Sequence, residues 1–396
     1  MSMAFWGLFL IPFLFPLALK YFLNLQVSWK EYGCQVIVVL MAVLMLWGIG
    51  NATSHYDTEI LNGAVTGKEP WKFSCPTNTM NPCRNGYSCN CVQVPYECGS
   101  SDSKGNYQSQ TCYRTECDTC YTYPWEQNWY VSSNIMSKIE IDRVDSQGAV
   151  TPPRWSSVQI NDPVSTTHKY KNWVRASSKS LFKQDPIADE RYAKLIPEYP
   201  LKIYDYYNIN RVLTPNTALV KKAAWNKELS YVLGQLGPTK QLNTAVVVVK
   251  NVDRSYANAA RRAWYGFKKN DAILFVGVDA QNNVIWGDTM SWSKNEVFNV
   301  ETRNYIERYI GTNVNNIDPK IFFTDYGAIA KAQFQRRSMK EFEYLKGDIP
   351  PPTWLIWVTA IVAVALSGVT SYIFHIKDLF VDNMNVRALR PAFRRY

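Results

Sequence analysis

Eight closely spaced cysteines are the side chains of this sequence that could most readily do chemistry. They are Cys75, Cys83, Cys89, Cys91, Cys98, Cys112, Cys117 and Cys120. Cysteines at this density either pair as disulfides or bind zinc, and "SCNC" and "CDTC" resemble pairs of zinc ligands. The spacing is not the regular CxxC…CxxC of a zinc site, and an even number of cysteines in an exported segment is typical of a disulfide framework. We predict four disulfides, whose connectivity the sequence leaves open.

Other patterns that indicate catalysis are missing from the sequence. The three histidines, His55, His168 and His375, are far apart and do not suggest a metal-binding or catalytic set. There is no G-x-S-x-G motif, no P-loop and no cysteine–histidine pair that would indicate an activated nucleophile. The residue types therefore favour a structural or binding role over an enzymatic one, and they call for no cofactor.

Three long apolar runs indicate membrane segments. They are Ala4–Leu19, Val36–Ile49 and Trp354–Ile373, and none contains an acidic or basic residue. A helix needs about 20 apolar residues to cross a bilayer core. The first run lacks the basic start and the cleavage site of a signal peptide, but Pro12 and Pro16 would bend a helix there, so a re-entrant segment is the alternative to a span. We predict an α+β membrane protein with three transmembrane segments, two in a hairpin at 1–50 and one at 353–374.

The basic residues near these runs predict the orientation of the chain. Four arginines lie in the tail 375–396, namely Arg387, Arg390, Arg394 and Arg395. Basic flanks stay on the cytoplasmic side, where this tail would contact anionic lipid head groups. The long segment between the second and third runs is then extracytoplasmic, either periplasmic or extracellular. Despite the net charge of +10, nucleic acid is not an expected partner, because this topology exports the basic segments.

The exported segment divides into three regions by pattern. A cysteine-rich subdomain at 51–124 precedes a β-rich region at 125–204, which has short alternating runs such as "KIEIDRV". In the third region, 205–346, "TAVVVV" and "AILFVGV" are continuous apolar runs, typical of strands that are covered on both faces. Helical patterns alternate with these runs and predict an α/β/α unit.

The first helix of this unit has boundary signals on both sides. Thr214 is a suitable N-cap, Pro215 suits the first helical position, and Gly237-Pro238 would end the helix. We therefore predict a helix that begins at Pro215 and ends before the "TAVVVV" strand.

The order of elements and several motifs in residues 205–346 resemble the TPM domain family. The motifs are "VLTPNTALV", "TAVVVV", "YANAARRAW", "GFKKNDAILFVGV", "IWGDTM" and "FFTDYGAIAKAQF". They stand where that family has its first helix, first strand, alanine-rich helix, acidic turn with the second strand, third strand and closing helix. Some members of the family are described as binding calcium or hydrolysing phosphate esters, so the resemblance implies these activities as expectations.

The same resemblance implies one metal-binding residue, Asp271, which lies in the acidic turn. Asp288 or Asp325 could add the further carboxylates that Ca²⁺ prefers. Calcium is the one cofactor that the resemblance allows. The alternative is that Asp271 is only a turn residue before a strand. Ala272 replaces the usual glycine and part of the carboxylate set is missing, which puts the calcium site in doubt.

Three functions fit these predictions. We favour an integral membrane structural or assembly protein whose ectodomain mediates homo-oligomerisation, with the lipid bilayer as its other partner. The second function is a TPM-type phosphatase or a calcium-binding module. The third is an accessory subunit that modulates a channel or other membrane complex through a partner membrane protein. The lack of catalytic motifs and the apolar runs near both ends favour the first.

Overall fold

The structure is a computed structural model of a mixed α+β protein, and it describes residues 3–23, 25, 27–53, 55–75, 83–101, 107–177, 191–204, 209–349 and 351–377. The helices are α1 (Met3–Phe22), α2 (Trp29–Thr53), α3 (Pro153–Ser157), α4 (Trp173–Ala176), α5 (Lys222–Lys240), α6 (Ser255–Ala263), α7 (Val297–Glu307), α8 (Pro319–Gln333) and α9 (Thr353–Lys377). The strands are β1 (Tyr56–Ser74), β2 (Gly86–Ser101), β3 (Tyr107–Tyr121), β4 (Trp125–Ser133), β5 (Ile139–Ile141), β6 (Pro163–Lys171), β7 (Val212–Leu213), β8 (Asn243–Lys250), β9 (Asp271–Val278) and β10 (Val284–Ser291). A 3-10 helix, Met339–Asp348, precedes α9.

Strands β7 to β10 form one sheet in the order β10-β9-β8-β7. Strands β7, β8 and β9 are parallel, and β10 is antiparallel to β9. Residues along β8 and β9 are buried on both faces, as their continuous apolar sequences require. The two strands predicted from "TAVVVV" and "AILFVGV" are therefore confirmed.

Helices cover both faces of this sheet. On one face, α5, α7 and α8 enclose a core that contains Trp225, Phe298 and Phe322. On the other face, α6 contributes Tyr256 and Ala260 to a second core. The observed layers agree with the helix-and-strand alternation read from the sequence.

The first helix of this unit begins later than its sequence signals predict. Helix α5 starts at Lys222 and not at Pro215. Asn216, in the intervening segment, is hydrogen-bonded to the last residue of β8. Its side-chain Nδ2 donates to the Lys250 carbonyl oxygen and its Oδ1 accepts from the Lys250 N–H, both at 2.9 Å. The prediction was wrong because a local N-cap pattern carries no information about this long-range contact.

Helix α5 also continues through Gly237-Pro238, where the sequence predicts its end. Its glycines allow it to lie against β1. A Cβ atom on Gly237 would lie 1.7 Å from the carbonyl oxygen of Asn62, and one on Gly234 would lie 2.9 Å from that of Gly63. Only glycine permits so close an approach. The helix thereby joins the first sheet to the second.

The second sheet has the order β5-β4-β1-β6, with antiparallel pairing throughout. The long strand β1 pairs with β6 along its first half and with β4 along its second half. Trp129, Val131 and Val164 belong to the small core of this sheet. One sheet thus combines β1, from the predicted cysteine-rich region, with strands of the predicted β-rich region.

Strands β2 and β3 form a separate two-stranded antiparallel ribbon, which we call the arm (Gly86–Tyr121). The disulfides are Cys75–Cys83, Cys89–Cys120, Cys91–Cys117 and Cys98–Cys112. Three of them join β2 to β3, and the first closes a loop beside the base of the arm. The prediction of four disulfides is confirmed.

Two helices, α2 and α9, are long and apolar enough to cross a membrane, through Trp29–Gly50 and Thr353–Lys377. The prediction of three such segments is wrong in number. Among the described residues, the apolar part of α1 is the shorter stretch Gly7–Phe22. Helix α1 contains Pro12 and Pro16 and remains one helix.

Helices α2 and α9 pack against each other in antiparallel directions. Near one end, a Cβ atom on Gly50 would overlap the side chain of Leu355. Near the other end, Gln35 Nε2 donates hydrogen bonds to the Ser367 carbonyl oxygen at 2.7 Å and to Ser371 Oγ at 2.8 Å. The end of α2 and the start of α9 therefore lie at the same level, next to the folded region that connects them.

Candidate functional site

Asp271, the acidic residue that the resemblance singles out, is fully buried at the start of β9. Its Oδ1 accepts a hydrogen bond from Asn243 Nδ2 at 2.9 Å. Its Oδ2 accepts hydrogen bonds from Tyr199 OH at 2.6 Å and from the Lys268 backbone N–H at 2.7 Å. Burial raises the pKa of Asp271 to about 6, although the hydrogen bonds from Tyr199 and Asn243 oppose that rise. Both carboxylate oxygens are thus engaged by groups of the same chain.

A buried guanidinium lies on the other side of Asn243. Arg211 is 1% exposed, and its guanidinium donates hydrogen bonds to the side-chain oxygens of Asn243, Asn62 and Ser165. Burial lowers the pKa of Arg211 to about 10, and the charge of Asp271 offsets part of that effect. Asn62 lies on β1 and Ser165 on β6, so this network connects the two sheets through polar side chains.

Two further buried carboxylates, Asp57 and Glu59, occupy alternate positions of β1 and share one of its faces. Asp57 Oδ1 accepts hydrogen bonds from Lys268 Nζ and from Arg175 Nη1. Glu59 Oε1 accepts a hydrogen bond from Arg336. Burial by itself would raise the pKa of Asp57, but the Lys268 cation and its hydrogen bond hold that pKa below the ordinary value. These ion pairs fasten β1 to the loop that precedes β9 through Lys268, to α4 through Arg175, and to the segment after α8 through Arg336.

An open cavity of about 720 Å³ lies beside this network. Its lining includes Asp57, Arg175, Glu198, Tyr199 and Lys268. The two cations of this wall already pair with Asp57. Removing one member of such a buried network leaves another charge unpaired, which is strongly destabilising. The arrangement is therefore suited to holding the sheets in a fixed relation.

The structure does not bring the predicted calcium ligands together among the residues that it describes. Within that part of the chain, the one set of three potential metal ligands is Cys75, Cys83 and Glu126, and the two cysteines form a disulfide. Asp288 lies on β10 opposite Phe275, and Asp325 lies on α8. The calcium site at Asp271 stays a prediction without a ligand set to support it.

The arm is exposed wherever the exposure of its side chains is described. None of the residues 86–99 and 109–121 is buried. Its large exposed side chains are Tyr87, Val92, Tyr96 and Tyr113, with exposed fractions of 54%, 58%, 44% and 66%. A two-stranded ribbon without a core is marginally stable in water by itself. The disulfides between β2 and β3 take over the role of a core in the arm.

The strand register places most of the exposed apolar side chains of the arm on one face. Tyr96 lies opposite Cys112, and Val92 lies opposite Glu116. Because side chains alternate between the two faces of a ribbon, Val92 and Tyr96 share a face with the disulfide Cys98–Cys112. Tyr113 lies opposite Pro95 and points to the other face. The arm thus offers an aromatic and apolar surface that the described part of the chain does not cover.

The remaining residues considered in the sequence include the arginines of the tail and His168, which belongs neither to the lining of the cavity beside Asp57 nor to the arm. Arg387, Arg390, Arg394 and Arg395 lie outside the described residues, so their contact with anionic lipid stays a prediction. His168 lies next to Glu59, with 2.8 Å between Nδ1 and Oε1. Among the described residues it belongs to no group of potential metal ligands.

Sequence reasoning missed the charges that connect the two sheets. Asp57 and Glu59 alternate in "YDTEI", and Lys268 and Lys269 are adjacent in "FKKND". Acidic residues at alternate positions of a strand ordinarily indicate a solvated face, so this pattern gave no clear signal of the opposite charges that buried carboxylates require. The position of Arg211 offered none, since a single arginine before a short strand is ordinarily solvated.

Comparison with known proteins gave no match to a protein-family model, a curated protein or a solved structure. The resemblance of residues 205–346 to the TPM domain family therefore stays a prediction. A fold does not by itself license an activity, so the function has to be argued from the sites.

Proposed function

We propose that this protein is an integral membrane assembly protein whose extracytoplasmic region binds further copies of the same chain. Helices α2 and α9 would anchor the folded region at both of its ends. The disulfides suit a compartment outside the cytoplasm, where thiols are oxidised. The arginine-rich tail that follows α9 suits the cytoplasmic side.

The exposed arm is the observation that carries this proposal. Strand β3 contains 15 residues, which corresponds to a length of about 50 Å. Each strand of a two-stranded ribbon has one edge whose backbone groups can pair with a strand from another chain. Tyrosine is enriched where proteins bind one another. A long, covalently fixed ribbon with exposed tyrosines and free edges is suited to contact a partner protein.

The charge of the arm favours another copy of this chain as that partner. The arm contains two basic and four acidic residues, whereas the whole chain has a net charge of +10. The exported segments outside the arm, residues 51–85 and 122–352, contain 34 basic and 26 acidic residues and thus carry a net charge of +8. Opposite charges on two surfaces guide their association and fix their relative position. The arm of one copy is complementary in sign to the body of the next.

The two sheets provide the rigid body on which the arm is mounted. Close contact of Gly237 with Asn62 and the network around Arg211 fix the first sheet against β1. Strand β4, which follows the arm, is hydrogen-bonded to β1. An arm on a fixed body can form the same contact in every copy, which a repeating assembly requires.

Site-specific photo-crosslinking of the full-length protein in membranes tests this proposal. A photoreactive phenylalanine analogue replaces Tyr96 in the arm or, as a matched control, Tyr204, which is 42% exposed compared with 44% for Tyr96. We expect a covalent dimer from position 96 and much less from position 204. Adducts only to another protein would contradict self-assembly and indicate an accessory subunit. Equal dimer yields from both positions would contradict the role of the arm.

A further inference from the structure

A second cavity, of about 400 Å³, lies where the folded region meets the membrane helices. One side is formed by His55, shortly after the end of α2, and the other by Pro351 and Thr353 at the start of α9. Because Gly50 contacts Leu355, both helices end at this level. If α2 and α9 cross a bilayer, as the proposed function requires, the cavity lies at the height of the lipid head groups.

The polar wall of this cavity carries positive charge. Arg175 lines it with 46% of its side chain exposed and binds Asp57 at 2.7 Å. Asp57 is the one acidic residue among the described lining residues, and Lys268 already pairs with it. One carboxylate thus faces two cations, which leaves an excess positive charge beside the cavity.

Further basic residues surround His55. Burial lowers the pKa of His55, and the nearby charges of Lys171 and Lys346 lower it further. Both lysines are exposed. The Lys171 ammonium lies 5.7 Å from the ring centre of Trp173, and the His55 ring lies 5.3 Å from the same side chain. Two lysines from different segments therefore converge near this cavity.

Aromatic side chains mark the same level of the molecule. Tyr56, which lines the cavity, is 51% exposed. Trp354, which directly follows the lining residue Thr353, is 57% exposed. Exposed tryptophan and tyrosine are enriched at the boundary between water and lipid, where one end of the ring system is apolar and the other is hydrated. Their placement agrees with a cavity that opens toward the head-group layer.

We propose that this cavity binds the phosphate-bearing head group of an anionic phospholipid, with Arg175 of its lining as the principal donor and Lys171, which lies beside the cavity, as a second cation. An arginine fork suits phosphate oxygens, and a lysine adds a mobile point charge. The acyl chains would lie along the lipid-facing sides of α2 and α9. The bound lipid would fix the height and tilt of the exported region above the membrane, which goes beyond the proposed self-assembly but depends on the membrane anchoring.

Native mass spectrometry of the detergent-solubilised full-length chain tests this site. The probes are phosphatidylglycerol and phosphatidylcholine of equal chain length, added separately and in competition. We expect one tightly retained phosphatidylglycerol. Lys171→Gln and Arg175→Gln should each weaken its retention about fivefold, the effect of one basic residue near an anionic lipid. Lys320→Gln, on the exposed start of α8 and outside both cavities, should leave retention unchanged.

Each contrary outcome has a separate meaning. Equal retention of the two lipids, or equal losses in Lys320→Gln and Lys171→Gln, would overturn the site. Displacement of the lipid by millimolar inorganic phosphate would show that free phosphate, not a lipid, is the ligand. If the chain remained soluble and monodisperse without detergent, the proposal that α2 and α9 anchor it in a membrane would be contradicted. Arg175→Gln also removes a partner of Asp57 and so could fail to fold. In that case Lys171→Gln is the variant that tests the site.

Discussion

Arg211 and Asp271 are connected through a single side chain, Asn243, which accepts a hydrogen bond from the guanidinium and donates one to the carboxylate at 2.9 Å. Both charged groups are buried, and an amide separates them. Burial raises the pKa of Asp271 to about 6 and lowers that of Arg211 to about 10. Burial thus shifts each pKa in the direction of the neutral form, and because Asp271 changes its charge near pH 6, the stability of the junction between the sheets depends on pH.

The pH dependence of Asp271 has a definite sign. The folded protein holds this proton more tightly than the unfolded chain, because the pKa rises from 3.8 to about 6. The resulting stabilisation is complete below the unfolded-state pKa and is lost as the pH rises through the folded-state pKa. Relative to Asp271→Asn, the wild-type protein should lose about 3 kcal/mol of unfolding free energy between about pH 4 and pH 6.5. Urea titrations across this range measure the difference, and a flat difference curve would disprove the shift.

Replacement of Gly237 tests the close contact between α5 and β1. In Gly237→Ala the new Cβ would lie 1.7 Å from the carbonyl oxygen of Asn62, so helix and strand have to separate. We expect a loss of about 3 kcal/mol in unfolding free energy, at the upper end for overpacking. Gly347→Ala is the matched control, because nothing lies within 4 Å of its Cβ position. Similar losses in the two variants would show that glycine is not required for this packing.

The arm should be stabilised independently of the body. The double variant Cys98→Ser, Cys112→Ser removes a disulfide with a sequence separation of 14, and such a crosslink contributes about 3 kcal/mol. Since none of residues 86–99 and 109–121 is buried, we expect the melting temperature of the body to stay the same. Limited proteolysis should then cleave β2 or β3 faster than in the wild-type protein. A lower melting temperature of the body would mean that the arm packs against it.

The amide of Gln35 should stabilise the pair of apolar helices. Gln35→Leu removes the hydrogen bonds to Ser367 and Ser371, and we expect a loss of about 1 kcal/mol in helix association. Unfolding of the detergent-solubilised chain by increasing amounts of SDS measures this change. The control is Ile37→Leu, at a position that is 60% exposed. If Gln35→Leu were as stable as the control, the amide would not hold the helices together.

Local patterns in the sequence predicted the features that depend on neighbouring residues. "TAVVVV" and "AILFVGV" predicted β8 and β9 because a strand that is covered on both faces needs a continuous apolar run. The dense cysteines predicted four disulfides, and the run at Trp354–Ile373 predicted the apolar helix α9.

Features that depend on distant contacts could not be predicted in the same way. Asn216 delays the start of α5 through a bond to Lys250, which is 34 residues away. The burial of Arg211 depends on Asn62, which is 149 residues away. The pairing of the cysteines was one of many possibilities. The register of β2 and β3 brings together the three pairs of the arm, and Cys75–Cys83 lies outside that register. Each of these relations arises from tertiary packing and leaves no periodic signal in the chain.

Self-assembly is tested most directly by the mass of the full-length protein particle after gentle extraction in detergent, measured by light scattering with correction for bound detergent. We predict a single species whose protein mass is a whole-number multiple, two or greater, of the mass of one chain. The same measurement on Val92→Asp, in the arm, should give a smaller particle. Val144→Asp, which is 55% exposed compared with 58% for Val92, should leave the mass unchanged. A wild-type particle with the mass of one chain would contradict the proposal that this protein assembles with itself.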